Sequence, residues 1–324
     1  MAQLSYREAV AAGIAQEMER DPSVYLIGED VAAAGGTFKA TAGLLERFGP
    51  WRVRDTPISE QAIIGLVAGA AMTGLRPIAE IMFSDFLAVC WDGIANQIAK
   101  TRYMSNGQFS FPLVIYTQSG GGLHFGAQHD QAPENWAMAV PGLKVASPSS
   151  PADMKGLMAA AIRDPDPVLV FAQKALYPVR GEVPEGEHVV PLGRAARLTD
   201  GDDATIVALG AMVPRALAAA DLLAADDIGV TVLDLRTLVP LDVTSILAEV
   251  QRTRWLFTVE ENPRLCGWGA EVASIVAEEG IDDLDGPIVR ITTPHVPLPA
   301  ADNLEDTALP SPERIADRVR RTLR

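Results

Sequence analysis

The stretch DTPISEQAIIGLVAGAAMTGLRPIAEIMFSDF, residues 55–86, decides the fold class. Ser59 and Glu60 are typical of a helix N-terminus, and the apolar, small-residue segment that follows continues the helix. The run Pro77 to Met82 then has the short, mostly apolar character of a buried strand. A helix that leads directly into a buried strand indicates a parallel sheet covered by helices.

The same alternation extends in both directions along the chain. Further strand-like runs lie at residues 24–27, 113–117, 143–146 and 168–171. Helical stretches separate these runs, and they are predicted at residues 6–20, 86–100 and 152–163. In such sheets ligands bind beyond the carboxyl ends of the strands, so the loops at 28–30, 84–86 and 119–129 are expected to carry the chemistry.

A change of composition divides the chain. The segment PVRGEVPEGEHVVP, residues 178–191, is rich in Pro, Gly and Glu and predicts an extended linker. Beyond it, strand-like runs at 204–209, 230–235, 255–259 and 287–291 again alternate with helices. The sequence therefore predicts two successive three-layer α/β domains with mainly parallel sheets: residues 1–177 and 193–324, joined by a linker at 178–192.

Composition excludes several classes of protein. The 324 residues contain 27 Lys and Arg against 42 Asp and Glu, and a formal charge of −15 argues against binding to nucleic acid. Two distant cysteines, Cys90 and Cys266, argue against a disulfide framework or a cysteine zinc site. The longest apolar run, Ile63 to Met72, falls short of the roughly 20 residues of a membrane span. The N-terminal MAQLSYREAV resembles no signal or transit peptide, so we expect a cytoplasmic protein with no membrane partner.

Glu60 is the first candidate for chemistry. For an isolated Ser-Glu pair the simpler explanation is favoured, in which Ser59 caps the predicted helix and Glu60 complements the helix dipole. The functional interpretation is a carboxylate partly desolvated by Ile58, Ile63 and Ile64, with a raised pKa suited to sharing a proton.

A second candidate lies in the loop SGGGLHFGAQHDQ, residues 119–131. His129 is an imidazole in a glycine-rich loop between strands, a common location for catalytic residues, although an exposed loop histidine without a role is the alternative. His124 is a weaker candidate, and its spacing from His129 and Asp130 fits no standard metal site. Gly120 to Gly122 lack the partner motif of a phosphate loop.

These segments together resemble a known family. GEDVAAAGGTFKATAGL (28–44), DTPISEQAIIG (55–65), GLRPIAEIMFSDF (74–86), AQHDQAPENWAMAVPGLKVASPSSPADMKGLMAAAIRDPDPV (127–168) and DLRTLVPLD (234–242) occur in the family's order. They resemble the β subunit of the E1 component of thiamine-diphosphate-dependent 2-oxo acid dehydrogenases, whose members act on pyruvate, branched-chain 2-oxo acids or acetoin. The resemblance covers essentially the whole chain and implies a transketolase-like fold.

The resemblance assigns roles to four residues. Glu60 matches the carboxylate that hydrogen-bonds N1′ of the cofactor's aminopyrimidine and so promotes loss of the thiazolium C2 proton. Phe86, which composition alone would place in the core, matches the aromatic residue that stacks on the pyrimidine. His129 matches the histidine that assists the substrate and the transfer to the lipoyl group, and Glu29 an acidic residue in a network between two active sites.

The resemblance also implies metal ions. Its structural potassium site matches Leu113, Ala161, Ile162, Asp164 and Asp166, where most ligands are backbone carbonyls. Thiamine enzymes hold Mg²⁺ and the diphosphate with a GDG motif followed some thirty residues later by Asn. The only similar string, Asp200-Gly201-Asp202-Asp203, lacks the downstream Asn and is interpreted as a turn.

The missing diphosphate motif predicts the partners. A partner α subunit is expected to supply the diphosphate and Mg²⁺ half of the site, in an α2β2 heterotetramer with each cofactor at an α/β interface. The apolar helix Ile63–Met72 is a candidate contact, and a lipoyl-bearing E2 acyltransferase is the expected acceptor of the acyl group.

Several departures from the family leave alternatives open. Asp130 stands where relatives usually have Ser, and such a neighbour is expected to raise the pKa of His129. Tyr116, Gln173 and residues 299–302 also differ, which affects the choice of substrate more than the reaction class. The alternatives are an acetoin dehydrogenase E1 β subunit, which the segments 96–104 and 112–115 favour, a stand-alone transketolase-like enzyme, and a non-catalytic assembly protein.

Overall fold

A computed structural model describes all 324 residues. The strands are β1 (Ala2–Ser5), β2 (Val24–Gly28), β3 (Val53–Asp55), β4 (Arg76–Ile81), β5 (Val114–Ser119), β6 (Lys144–Ala146), β7 (Val168–Gln173), β8 (Arg180–Val183), β9 (Ala196–Arg197), β10 (Ala204–Ala208), β11 (Val230–Asp234), β12 (Thr237–Val239), β13 (Leu256–Pro263) and β14 (Val289–Thr293). The α-helices are α1 (Tyr6–Arg20), α2 (Leu44–Phe48), α3 (Glu60–Met72), α4 (Leu87–Asp92), α5 (Ala99–Met104), α6 (Glu134–Met138), α7 (Pro151–Arg163), α8 (Met212–Ala224), α9 (Val243–Thr253), α10 (Gly269–Glu279), α11 (Asp302–Ala308) and α12 (Pro312–Leu323).

Two main sheets form the framework. The larger has seven strands in the order β12-β6-β7-β5-β4-β2-β3, and the smaller has five in the order β14-β13-β10-β11-β9. All neighbours within them run parallel except β12 beside β6 and β9 beside β11. The predicted fold class, α/β with mainly parallel sheets, is confirmed.

Helices pack on both faces of each sheet. Alternate residues of β2 belong to different buried apolar clusters, since Val24 and Leu26 pack in one and Tyr25 and Ile27 in the other. The first cluster includes residues of α1, α7, α8 and α12, and the second includes residues of α3, α4, α9 and α10. Each cluster therefore draws on both sheets, and the two halves of the chain share their cores.

Local sequence signals explain where the helices begin and end. Ser5 and Glu8 form a capping box at the start of α1, and Asp21 ends this helix. The predicted helix 86–100 is instead three consecutive pieces: α4, a π-helical segment Gly93–Ile98, and α5. Cys90 leaves helical geometry there, and Gly93 lets the chain approach α3, because a Cβ at that position would lie 2.8 Å from Ile64 Cγ2.

The division between the halves is less sharp than the sequence suggests. The predicted linker contains β8, which pairs with β1 in a separate antiparallel ribbon. Strand β12, from the second half of the chain, adds to the edge of the first sheet and pairs with β6. Short strands such as β12 carry too little periodicity to be found from sequence, and the boundaries at 177 and 193 stay a prediction.

No helix combines the length and the apolar character needed to cross a bilayer.

We expect a chain truncated after residue 192 to lose cooperative folding. It would expose the edge of β6 that β12 covers and would remove the α8, α9, α10 and α12 parts of both apolar clusters. Thermal unfolding followed by near-UV circular dichroism should show no sharp transition, whereas the full chain should show one. A cooperative transition of the truncated chain would contradict the shared-core arrangement.

Candidate active site

Glu29 and Glu60 lie at one edge of the larger sheet. Glu29 follows β2 directly, and Glu60 is the first residue of α3, where Ser59 occupies the N-cap position without a side-chain capping bond. Burial and the charges of Asp30 and Glu60 raise the pKa of Glu29. Burial, together with Glu60, raises the pKa of the Cys90 thiol on α4 to about 12. The Glu60 carboxylate is therefore near enough to both Glu29 and Cys90 to affect the pKa of each.

An aromatic cluster surrounds His129. Phe86 ends the 3₁₀ turn Ser84–Phe86 that follows β4, and its ring meets the imidazole edge-on with centroids 5.5 Å apart. Phe83, which the sequence did not single out, lies closer, at 4.8 Å. Phe38 and Phe125 extend the cluster outward, 6.0 Å and 6.3 Å from the Phe83 ring. His129 and Phe86, both partly exposed, are therefore side by side, as expected of residues that share one site.

Asp130 does not act as the partner of the His129 imidazole. Its buried carboxylate accepts a hydrogen bond from the Gly126 N–H at 2.5 Å and lies 3.2 Å from the ammonium group of Lys174. Lys174, also fully buried, donates to the His129 carbonyl oxygen. In place of the expected interaction with the His129 imidazole, Asp130 therefore takes part in an ion pair that holds the backbone of this loop.

Lys174 and Glu80 are site residues that sequence reasoning missed. Lys174 directly follows β7, a strand that is buried at every position, and this placement could have identified it. Glu80 lies within the apolar strand β4, and Gln118 donates to its Oε1 at 2.9 Å, whereas its Oε2 has no partner. Complete burial, only partly offset by this hydrogen bond, and the nearby charge of Glu29 raise the pKa of Glu80 to about 7.

Two other departures from the family, Tyr116 and Gln173, are buried supports. The Tyr116 hydroxyl lies 2.6 Å from that of Tyr177, beneath the loop. Gln173 donates to Glu134 and to Ser147, both at 3.0 Å. His124 contacts Glu305 in the second half of the chain. It makes no aromatic contact with His129, whose ring meets Phe83 and Phe86. Residues 299–301 precede α11 on that second half, and Asp302 is the first residue of this helix.

The predicted potassium ligands gather near the C-terminal end of α7, where protein cations already contact them. Arg76 donates to the carbonyl oxygens of Ile162, at 2.8 Å, and Asp164, at 3.3 Å. Lys144 lies 2.7 Å from both carboxylate oxygens of Asp164 and 3.4 Å from Asp166. The remaining two carbonyls, of Ala161 and Leu113, accept backbone hydrogen bonds.

A cleft of about 870 Å³ opens beside the loop that carries His129, between the two halves of the chain. Gln131, Pro133 and Trp136 line one side, and Cys266 and Leu298 line the other. Cys266 is exposed, and Asn135 donates to its carbonyl oxygen at 2.8 Å across the boundary between the halves.

Comparison with family models matches the chain over most of its length. Residues 2–180 match the transketolase pyrimidine-binding domain, and residues 193–315 match the transketolase C-terminal domain. Among curated relatives, the acetoin:2,6-dichlorophenolindophenol oxidoreductase β subunit of Bacillus subtilis is 44% identical, over 96% of this chain and 95% of that one. The B. subtilis 2-oxoisovalerate dehydrogenase β subunit is 43% identical (99% and 98%), and the Rickettsia felis pyruvate dehydrogenase E1 β subunit is 44% identical (98% of each).

Solved structures show the same fold. A split-gene transketolase, described as an inactive β4 tetramer, superposes with a TM-score of 0.81 at 25% identity and covers 99% of this chain and 98% of that one. A transketolase from Pichia stipitis superposes with a TM-score of 0.72 at 16% identity, over 100% of this chain but only 46% of that chain. The present chain thus corresponds in fold to about half of a full-length transketolase.

We expect Glu80→Gln to stabilise the protein increasingly as the pH rises. The raised pKa means that the folded state keeps a proton that the unfolded state loses, so wild-type stability falls between pH 4.5 and about 7 and is then level. At about 1.4 kcal/mol per pKa unit, the variant should gain up to about 3 kcal/mol relative to wild type between pH 4.5 and 8. Denaturant unfolding at both pH values measures this gain.

The exposed Glu46→Gln is the matched control and should show no such gain. An equal stability difference between Glu80→Gln and wild type at both pH values would show that Glu80 is not protonated in the fold.

Proposed function

The chain belongs to the family of E1 β subunits of 2-oxo acid dehydrogenases, and on that premise we propose that it forms the aminopyrimidine half of a thiamine diphosphate site. The observation that carries this proposal is the convergence of Glu29, Glu60, Phe86 and His129 at one edge of the larger sheet. The complete enzyme would oxidatively decarboxylate a 2-oxo acid and pass the acyl group to a lipoyl-bearing E2 acyltransferase.

The residues at this edge fit an aminopyrimidine. Glu60 makes no ion pair or capping bond within the chain, so its carboxylate is free to accept a hydrogen bond from a ring N–H. Phe86 presents a partly exposed ring of the kind that stacks on a flat heterocycle. The cofactor, when bound, supplies the carbon nucleophile, and Glu60 holds the proton that tunes it. The Glu60 carboxylate lies close enough to Glu29 to raise the pKa of Glu29.

His129 is proposed to act on the substrate side. Its imidazole is partly exposed, at the meeting point of Phe83 and Phe86. An imidazole there can accept a proton from the substrate or return one to it, while the aromatic rings limit access of water. The hard step remains the cofactor's chemistry, and this chain orients the reacting groups.

We propose that the diphosphate and Mg²⁺ are held by a partner α subunit. The chain carries no GDG-to-Asn motif, and it corresponds to 46% of a one-chain transketolase, which leaves the other half to be supplied in trans. The split-gene transketolase chain of similar size is described as inactive when it forms a β4 tetramer alone. An α2β2 heterotetramer satisfies this requirement, and the exposed apolar face of α3 with Gly65 and Leu66 is a candidate contact.

Two alternative functions differ from this proposal in substrate or in subunit composition. The acetoin enzyme is favoured by a named relative at 44% identity, but relatives named for 2-oxoisovalerate and pyruvate are equally similar. A stand-alone enzyme would need a diphosphate site, which the sequence does not supply.

Purification of the tagged chain from its native cells tests the proposal. A stoichiometric second chain with the GDG-to-Asn motif is expected; a chain that is pure, alone and active with thiamine diphosphate would overturn it.

A structural potassium ion is proposed for the cluster at Ile162, Asp164 and Asp166. Arg76 uses one lone pair of each of the first two carbonyl oxygens, which leaves a second lone pair for a cation. Because Lys144 already pairs with both carboxylates, and Arg102 with that of Asp166, the ion is expected to add little.

We expect Glu60→Gln to abolish turnover without unfolding the chain. The amide cannot hold the proton as a carboxylate does, so the loss should reach at least about 100-fold, as is typical of a group that assists proton transfer. The measurement is 2-oxo acid turnover by the assembled enzyme, with an artificial electron acceptor. Glu46→Gln, the same change at an exposed position on α2, is the matched control and should keep activity. Full activity of Glu60→Gln would contradict its assigned role.

Replacing KCl by NaCl should lower the melting temperature of the purified protein by only about 1–3 °C, because the protein's own cations already neutralise the cluster. Differential scanning fluorimetry at constant ionic strength measures the change. The Asp166→Asn variant loses one carboxylate but keeps an oxygen. It should show the same difference in melting temperature between KCl and NaCl. A loss of folding in NaCl would show that the ion is an essential part of the structure.

A further inference from the structure

The glycine-rich loop that carries His129 is held from the opposite half of the chain. Glu305, on α11, is fully buried, and its carboxylate accepts hydrogen bonds from the Gly122 N–H at 2.9 Å and the His124 N–H at 3.0 Å. Its Oε2 also lies 2.6 Å from Nδ1 of His124. One carboxylate thus contacts three groups of a loop that is more than 170 residues away in sequence.

A second carboxylate holds the same loop one residue earlier. Glu261, on β13, accepts a hydrogen bond from the Gly121 N–H at 2.5 Å. The approach requires glycine, because a Cβ at Gly121 would lie 2.5 Å from Glu305 Oε1, and a Cβ at Gly120 would lie 2.9 Å from the Glu261 carboxylate. The run Gly120 to Gly122 therefore receives carboxylates of the chain itself.

Burial makes the loop and the carboxylates depend on each other. A buried carboxylate without hydrogen bonds is costly, and here the loop amides are the donors that compensate Glu305. The same bonds fix a backbone that has no secondary structure of its own, with Gly120, Gly122 and His124 at positive φ. Lys174 and Asp130 hold the other end of the loop, so His129 lies between two anchored segments.

We propose that Glu305, assisted by Glu261, is a positioning residue that sets the placement of His129 from the C-terminal half of the chain. This inference rests on the proposed function of His129. It gives the second α/β half a direct role in the site, beyond its contribution to the shared cores. It also assigns His124 to the anchor of the loop, since its N–H and Nδ1 both face Glu305.

The kinetic test uses the enzyme assembled with its α subunit. Glu305→Gln should lower kcat about 10- to 100-fold, the cost of a small displacement of a reacting group, with less than about threefold change in KM. Asp306→Asn, on the exposed side of the same helix, is the matched control and should leave both constants unchanged. In a His129→Ala background, Glu305→Gln should add no further loss, because its effect acts through His129.

A merely structural role would give a different result, since independent effects of the two substitutions would multiply. Multiplicative losses in the double variant, or wild-type kcat in Glu305→Gln, would overturn the inference. If Glu305→Gln does not fold, Glu261→Gln removes the second anchor and should lower kcat in the same His129-dependent way.

A second measurement does not depend on activity. Amide hydrogen exchange of the full chain should be slow at Gly122 and His124, much faster in Glu305→Gln, and unchanged in Asp306→Asn. Unchanged exchange in Glu305→Gln would overturn the anchor itself. If the wild-type assembly has no thiamine-dependent turnover, but exchange at Gly122 and His124 is still faster in Glu305→Gln than in wild type, the proposed function is overturned and the anchor is supported.

Discussion

Parallel pairing of β2, β4 and β5 brings their carboxyl ends to a single edge, and the site depends on that alignment. Gly28, the last residue of β2, pairs in register with Glu80, and Glu80 pairs with Tyr116 on β5. A Cβ at Gly28 would lie 2.9 Å from the Glu80 Cβ, so glycine is required for the close approach. Once this register is set, the segments that follow the strands deliver Glu29, Phe86 and the His129 loop to neighbouring positions.

Buried charges then fix the irregular backbone around this edge. The Asp130–Lys174 pair and the Glu305 and Glu261 carboxylates all donate to or accept from main-chain groups of one loop. Such groups are expensive to bury and add little net stability, but their hydrogen bonds admit few geometries. The chain thereby orders the residues at this edge before any ligand arrives, which is the condition for efficient positioning of reacting groups.

Regular periodicity made most of the fold predictable from sequence, whereas contacts between residues far apart in sequence could not be predicted. The strands and the capping box of α1 have local signals, and Glu60 and His129 stand in motifs that the family resemblance could identify. Strand β12 has three residues and gains its place only by pairing with β6, so no local pattern reveals it. The partner of Asp130 was misjudged because proximity in sequence to His129 gave no information about Lys174, which folding brings beneath the loop.

The two cysteines differ in their chemical accessibility, and this affects how the enzyme responds to oxidants. Cys90 is buried beside Glu60, and burial with that neighbouring carboxylate raises the pKa of its thiol to about 12. Peroxides and disulfides react with the thiolate, which is almost absent at Cys90 near neutral pH. The edge that holds Glu60 is therefore protected from sulfenic acid formation. Cys266, exposed at the cleft between the halves, is the thiol that an electrophile meets first, so a maleimide dye would attach there.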